Sequence, residues 1–215
     1  MNIYIDNKFY ELLENPESLK DKYINAKEIP HIIIYNFINY EILENILEEF
    51  PNHSNNNFSK KFNNNFENKI INTNIKSFGN YSYKLINYFH SKEFINFLSE
   101  LTGIKEELQA DPLLLGGGFH KIKKDVFLKI LADSNIHPKL KLQRRINLLL
   151  YLNNNWKEEF GGHLEFWDNH IRRKKILPIF NRLVIFTTSC NSFHGNPEPL
   201  KSPHEITRKS LAIYY

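Results

Sequence analysis

A chain of 215 residues with 41% hydrophobic and 14% aromatic residues is long enough to bury one sizeable core and too apolar to stay disordered. Its formal net charge of +4 comes with lysines spread along the chain, so no basic stripe or nucleic-acid module stands out and no nucleic-acid partner is expected. The single cysteine, Cys190, excludes an internal disulfide and a thiolate zinc site. No segment has membrane-spanning length or a signal-peptide pattern, so the expected compartment is the cytoplasm, without membrane attachment.

The expected organisation is one domain over residues 1–215, with a helical part up to about 110 and a β-rich core over about 111–215. In "NPESLKDKY", Asn15 is placed to cap a helix whose first position is Pro16. The β-branched run "HIIIYNFI", His31–Ile38, predicts a strand. In "NYEILENILEEFP" a helical stripe follows, carrying Ile42, Leu43, Ile46, Leu47 and Phe50 to one face and ending at Pro51. Residues 52–80 are polar and Asn-rich and predict a long surface loop with short ordered pieces. A further helix runs through "SKEFINFLSELTG": Ser91 caps it, Phe94, Phe97, Leu98 and Leu101 form its apolar face, and Gly103 stops it.

After Asp111 the hydrophobic period changes to two. The predicted strands are "LLLGGGFHKI", "VFLKILAD", "RRINLLLYLN", "GHLEFWD", "RLVIFTTS" and "RKSLAIYY", separated by turn-rich segments. So many short strands in about a hundred residues predict an antiparallel sandwich or jelly roll, mainly β with flanking α-helices. The run Gly116–Gly118 lacks a phosphate-loop pattern and predicts a bend or close backbone packing. Trp156 and Trp167 are expected in the core or in a pocket wall.

Alternation assigns faces to these strands. Leu131 and Asp133 point one way, while Ile130 and Ala132 point the other. Asn147, Leu149, Tyr151 and Asn153 share a face, as do Arg208, Ser210 and Ala212. A cavity bounded by such faces would hold the Asp133 carboxylate, with Arg208 and Ser210 placed to grip an anion through paired hydrogen bonds.

The blocks "IPHIIIYNFINYEILENILEEFP", "LLLGGGFHK", "HPKLKLQRRINLLLYLNNNW", "GGHLEFWD", "FNRLVIFTTS", "SFHGNPEPL" and "TRKSLAIYY" together resemble the iron(II)/2-oxoglutarate-dependent oxygenases, specifically their prolyl-4-hydroxylase-like branch. The resemblance implies a double-stranded β-helix, the jelly-roll variant of that family. It also implies an iron held by two His and one carboxylate. The carboxylate falls on Asp133, the distal His on His194 and the 2-oxoglutarate-binding Arg on Arg208, with Ser210 and Tyr151 as helpers. Leu131 stands where the family has its first metal-binding His, and a leucine donates no electrons to a metal. His120, His137 and His163, the last sharing a face with Glu165, are the candidates to line the pocket or substitute as ligands.

The implied cofactors are Fe(II) and 2-oxoglutarate, with ascorbate as a candidate accessory. The implied activity is hydroxylation of a prolyl residue or small molecule, impaired to the extent that Leu131 weakens the metal. The alternatives are a non-catalytic descendant of the fold that binds an acidic metabolite, peptide or glycan, and a substituted, inactive form of an active enzyme. A third is altered metal chemistry, with water or another side chain in the vacated position.

Overall fold

A computed structural model of the chain describes residues 4–51, 60–63, 68–132, 136–168 and 171–215. The N-terminal elements are α1 (Tyr10–Glu14), α2 (Glu17–Ile24), β1 (His31–Tyr35), α3 (Tyr40–Glu48), β2 (Lys60–Asn63), β3 (Asn68–Asn72), α4 (Asn80–Phe89) and α5 (Lys92–Thr102). Then come β4 (Gly118–Ile122), β5 (Leu128–Leu131), β6 (Ile146–Tyr151), β7 (Leu164–Asp168), β8 (Ile171–Ile176), β9 (Arg182–Thr187), β10 (Phe193–Asn196) and β11 (Arg208–Tyr214). A seven-stranded sheet, ordered β1-β9-β6-β11-β4-β3-β2, faces a four-stranded sheet, ordered β5-β10-β7-β8. All of these pairings are antiparallel, and the fold is the expected jelly roll.

The larger sheet is covered on both sides, which explains the nearly unbroken apolar run "INLLLYL". Leu148, Leu150, Leu183, Ile185, Leu211 and Ile213 pack outward against the helices. Tyr151, Val184 and Phe186 point inward and meet Leu164 and Phe166 of the smaller sheet. The helix faces follow the periodicity: Leu43, Ile46 and Phe50 are buried beneath α3, and Phe94, Phe97, Leu98 and Leu101 beneath α5. Ser91 Oγ accepts from Phe94 N–H at 3.2 Å, and Gly103 closes α5 in the left-handed conformation.

Several expectations are corrected. Pro16 occupies the cap position of α2 rather than its first turn, and Asn15 closes α1. The strand expected at His31–Ile38 is present as β1, whereas the stretch expected as a long surface loop over 52–80 carries β2 and β3, which join the larger sheet. Helix α4 has no local capping side chain: Gly79 precedes it, and Glu49, from the end of α3, accepts from Tyr81 N at 2.9 Å and Ser82 N at 2.7 Å. A Cβ on Gly79 would lie 2.1 Å from the Glu49 carboxyl carbon, so this cap requires a glycine there. Strand β8, "IRRKKI", is an edge strand whose charges discourage further pairing, and such a strand shows little apolar alternation.

Candidate active site

A cavity of about 120 Å³ lies between the two sheets. The larger sheet contributes Asn147 and Leu149 from β6, His120 from β4, and Arg208 and Ser210 from β11; the smaller sheet contributes Leu131, His194 and Asn196. The faces expected from alternation therefore do converge.

On the smaller sheet, His194 is paired directly with Leu131 of β5 on one side and with Phe166 of β7 on the other. Directly opposed residues of an antiparallel pair project to the same side, with Cβ atoms about 4.5–5.5 Å apart. Leu131 and His194 thus meet at the cavity wall, where Leu131 stays 44% exposed. His194 Nδ1 donates to the Ser192 carbonyl at 2.9 Å, which makes Nε2 the acceptor nitrogen of the ring. The Phe186 ring meets the imidazole edge-on at 4.8 Å and fixes its plane. Asp133 lies outside the described residues, two positions beyond Leu131.

On the larger sheet, Arg208 opens β11 and is 5% exposed. Its Nε donates to the Gly162 carbonyl at 2.7 Å and one terminal nitrogen donates to Tyr151 Oη at 3.2 Å. Gly162 has φ +69°, and a Cβ there would sit 3.0 Å from Arg208 Cδ and 2.5 Å from Leu200, so the close approach depends on glycine. Burial lowers the Arg208 pKa, and neighbouring Tyr151 opposes the shift. Burial raises the Tyr151 pKa, while Arg208 and Arg182 oppose it. Among the described residues no carboxylate forms an ion pair with Arg208. A buried guanidinium without a counter-anion is costly, and a bound carboxylate removes that cost.

Ser210 is 2% exposed, paired with His120 on one side and Tyr151 on the other, and reaches the same cavity. Tyr151 is fully buried behind Arg208 and supports that residue rather than lining the cavity.

The three other candidate histidines separate. His120 lines the cavity, but its Nε2 donates to the Gly116 carbonyl at 2.9 Å. Burial, with help from Lys69, pushes its pKa down to about 3, so it is neutral near pH 7. His137 lies in a different cavity beside Asp111: its Nδ1 accepts from the Leu140 N–H at 2.9 Å and its Nε2 is 3.2 Å from an Asp111 oxygen. His163 is bonded to Glu158 at 2.8 Å. His163 and Glu165 do share a face, but Leu164 and Phe166 take the inward one, so the expected pocket position for this pair is corrected. Glu165 instead accepts from Trp167 Nε1 at 2.9 Å.

The glycine run packs as expected: a Cβ on Gly117 would lie 2.8 Å from the Ala212 carbonyl oxygen and one on Gly118 2.2 Å from that of Asn72. Trp156 is buried against Phe160. The roles of two asparagines are not visible in the sequence. Asn153 donates to the carbonyls of Pro178 and Lys209 and accepts from Lys209 N–H, clamping the start of β11. Asn196, two residues beyond His194, faces the cavity by the same alternation that placed His194.

The residues present fit a dicarboxylate at Arg208. For a metal, the described residues supply His194 Nε2, Leu131 supplies nothing, and among the described residues no three His, Cys, Asp or Glu side chains gather. No helix among the described residues is long and apolar enough to cross a membrane.

The sequence model of the 2OG-Fe(II) oxygenase superfamily matches residues 117–215, the stretch that carries β4 to β11. Prolyl 3-hydroxylase OGFOD1 of Mus musculus is 36% identical over 78 residues, which span 34% of this chain and only 14% of that protein. A prolyl hydroxylase from Trichoplax adhaerens, solved with a hypoxia-inducible-factor peptide fragment, superposes with TM-score 0.70 at 18% identity, covering 98% of this chain and 93% of that one. A prolyl-4-hydroxylase from Pseudomonas putida superposes with TM-score 0.63 at 13% identity, covering 91% and 97%. The strands that build the cavity lie in the stretch that matches the 2OG-Fe(II) oxygenase superfamily model, and the fold of nearly the whole chain is that of the prolyl hydroxylase structures, so the chain is similar to this superfamily in sequence over residues 117–215 and in fold throughout.

Proposed function

We propose that the chain is an iron(II)- and 2-oxoglutarate-dependent dioxygenase that hydroxylates a prolyl residue of a peptide. The observation that carries this reading is Arg208, a buried cation with two neutral hydrogen-bond partners and no carboxylate among the described residues. Its remaining donor capacity suits the distal carboxylate of 2-oxoglutarate, and a planar guanidinium can meet both oxygens at once. Ser210 adds a hydroxyl beside it, and Tyr151 holds the guanidinium in place from behind.

In this reading the metal is held by His194 Nε2 and the Asp133 carboxylate. The bond from Nδ1 to Ser192 sets the tautomer that presents Nε2. Leu131 would offer no donor at the third position, so these residues would hold the metal more weakly than a full set of two His and one carboxylate. Iron and 2-oxoglutarate, when bound, supply the oxidising chemistry that hydroxylates a C–H bond. Leu149 and Leu164 line the cavity and keep that region dry. A prolyl peptide is favoured as substrate because the mouse relative is a prolyl 3-hydroxylase and the Trichoplax neighbour was solved with a peptide.

The test is calorimetric titration of 2-oxoglutarate with Mn(II) in place of iron. Arg208→Ala should bind at least about a hundredfold more weakly, because a charge-assisted contact is lost. Unchanged affinity would remove Arg208 from this role. Leu131 favours a second reading, a non-catalytic binder of the same anion. Succinate formation with iron(II), 2-oxoglutarate and ascorbate under air separates the two: clear turnover supports the oxygenase, and tight binding without succinate supports the binder.

A further inference from the structure

Resting on the proposed 2-oxoglutarate site, we infer that Asn196 is a second co-substrate-binding residue, whose side-chain amide hydrogen-bonds the dicarboxylate held by Arg208. Asn196 ends β10, 2% exposed, and lines the same cavity as Arg208, Ser210 and His194. It follows His194 by two residues on one strand, so both side chains project inward.

Both polar atoms of its amide are buried, and among the described residues neither Oδ1 nor Nδ2 has a hydrogen-bond partner. Asn153, by contrast, has both atoms of its amide occupied by backbone groups. Buried amides are nearly always paired, and an unpaired donor and acceptor on one side chain are expensive to keep. A structural role therefore gives no reason for an amide here, whereas a leucine would fill the same volume at no such cost. A ligand with carboxylate oxygens does supply a reason: Nδ2–H donates to it beside the guanidinium. Oδ1 can accept from an ordered water in the same cavity. Binding then meets three sets of unsatisfied groups at once, those of Arg208, Asn196 and the anion.

The position is also sterically defined. Register between β10 and β5 shifts between His194 and Asn196, so Asn196 is paired with Leu128 while His194 is paired with Leu131. Gly195 between them has a Cβ position 2.6 Å from the Lys129 carbonyl oxygen, which lets the bulged β5 lie close against β10. The close packing fixes the direction in which Asn196 enters the cavity.

The test uses Asn196→Leu, which keeps the branched skeleton of asparagine and removes both polar atoms, and Asn196→Asp, which places a negative charge beside the anion. 2-Oxoglutarate is titrated calorimetrically into the Mn(II)-loaded full chain, and melting temperatures are recorded without co-substrate or metal. Asn196→Leu should weaken 2-oxoglutarate binding about tenfold to a hundredfold while leaving the ligand-free melting temperature unchanged or higher. Asn196→Asp should bind more weakly still. That opposite movement of affinity and stability marks a binding amide, since a purely structural amide would lower the melting temperature on replacement. If Asn196→Leu binds 2-oxoglutarate as tightly as the unaltered chain, or lowers the ligand-free melting temperature, the assignment is overturned. If Arg208→Ala loses binding and Asn196→Leu does not, this inference alone fails. Absence of binding by the unaltered chain overturns it together with the function proposed above.

Discussion

On the proposed reading, Leu131→His should add a metal ligand, and the position of Leu131 bears on the size of the effect. Leu131 lies at the end of β5, an edge strand of the smaller sheet, directly paired with His194. At 44% exposure it has given up only part of the roughly 1.5–3 kcal/mol that full burial of a leucine is worth, so the exchange should cost about 1 kcal/mol of stability or less. The cross-strand spacing of about 4.5–5.5 Å between Cβ atoms suits two imidazoles that each approach an ion to about 2 Å. Loss of a group that merely supports a metal ligand weakens binding by about 10–100-fold, and a direct ligand counts for more. The gain in Mn(II) affinity should therefore reach about a hundredfold or more, close to 3 kcal/mol. Competition calorimetry with Mn(II) measures it, and succinate release with iron(II), 2-oxoglutarate and ascorbate gives the catalytic counterpart. Equal metal affinity in the two proteins, with equal succinate rates clearly above background, would refute the argument that Leu131 vacates a ligand position.

Two other outcomes follow from the packing and the charges. Glu49→Ala removes the carboxylate that caps α4 through Tyr81 N, Ser82 N and the Ser82 hydroxyl at 2.6 Å, and should lower urea-unfolding stability by about 1–2 kcal/mol. His120, held neutral with its pKa pushed down to about 3, refuses a proton that the unfolded chain accepts near 6.5, so stability falls as pH drops from about 6.5 towards 3. His120→Gln should flatten that fall by an amount on the order of a few kcal/mol at the acid end, with a residual slope from His31, His90 and His163, whose pKa values burial also lowers. Stability measured by urea at successive pH values checks it, and an unchanged slope would contradict the buried, neutral assignment.

Much of this architecture was legible because its signals are local. The stripe of α3, the Ser91 cap and Gly103 stop of α5, and the alternation in β6, β9 and β11 each reflect nearby residues packing on one face. Alternation also carried Asn147, Leu149, Arg208 and Ser210 to one cavity. What stayed hidden depends on partners distant in sequence. The cap of α4 arrives from Glu49, 32 residues away from Tyr81, and β8 pairs through a charged edge. The four-residue β10 is a strand only because β5 and β7 flank it. His163 was misassigned because alternation says which residues share a face and not which face looks inward; Leu164 and Phe166 decide that by burial. Asn196 left no sequence signal except its spacing from His194, because an unmet amide is recognised only when its surroundings are known.

On the proposed reading, the anion-binding and metal-binding halves of the cavity come from opposite sheets, and that division bears on what Leu131 does. Arg208 and Ser210 stand on β11, in the middle of the larger sheet, with strands paired on both sides. Leu131 belongs to an edge strand of the smaller sheet, across the cavity from them. A substitution at 131 therefore alters the metal side without moving the residues that hold Arg208: Gly162 belongs to the turn before β7, and Tyr151 to β6. Residues that share no partners contribute nearly independently. On the proposed reading, the anion half of the site would stay fully formed even with one metal donor fewer, so a leucine at 131 is compatible with 2-oxoglutarate binding at Arg208. The fold should likewise tolerate exchanges at 131, because an edge position that is already half exposed places few packing demands on its side chain.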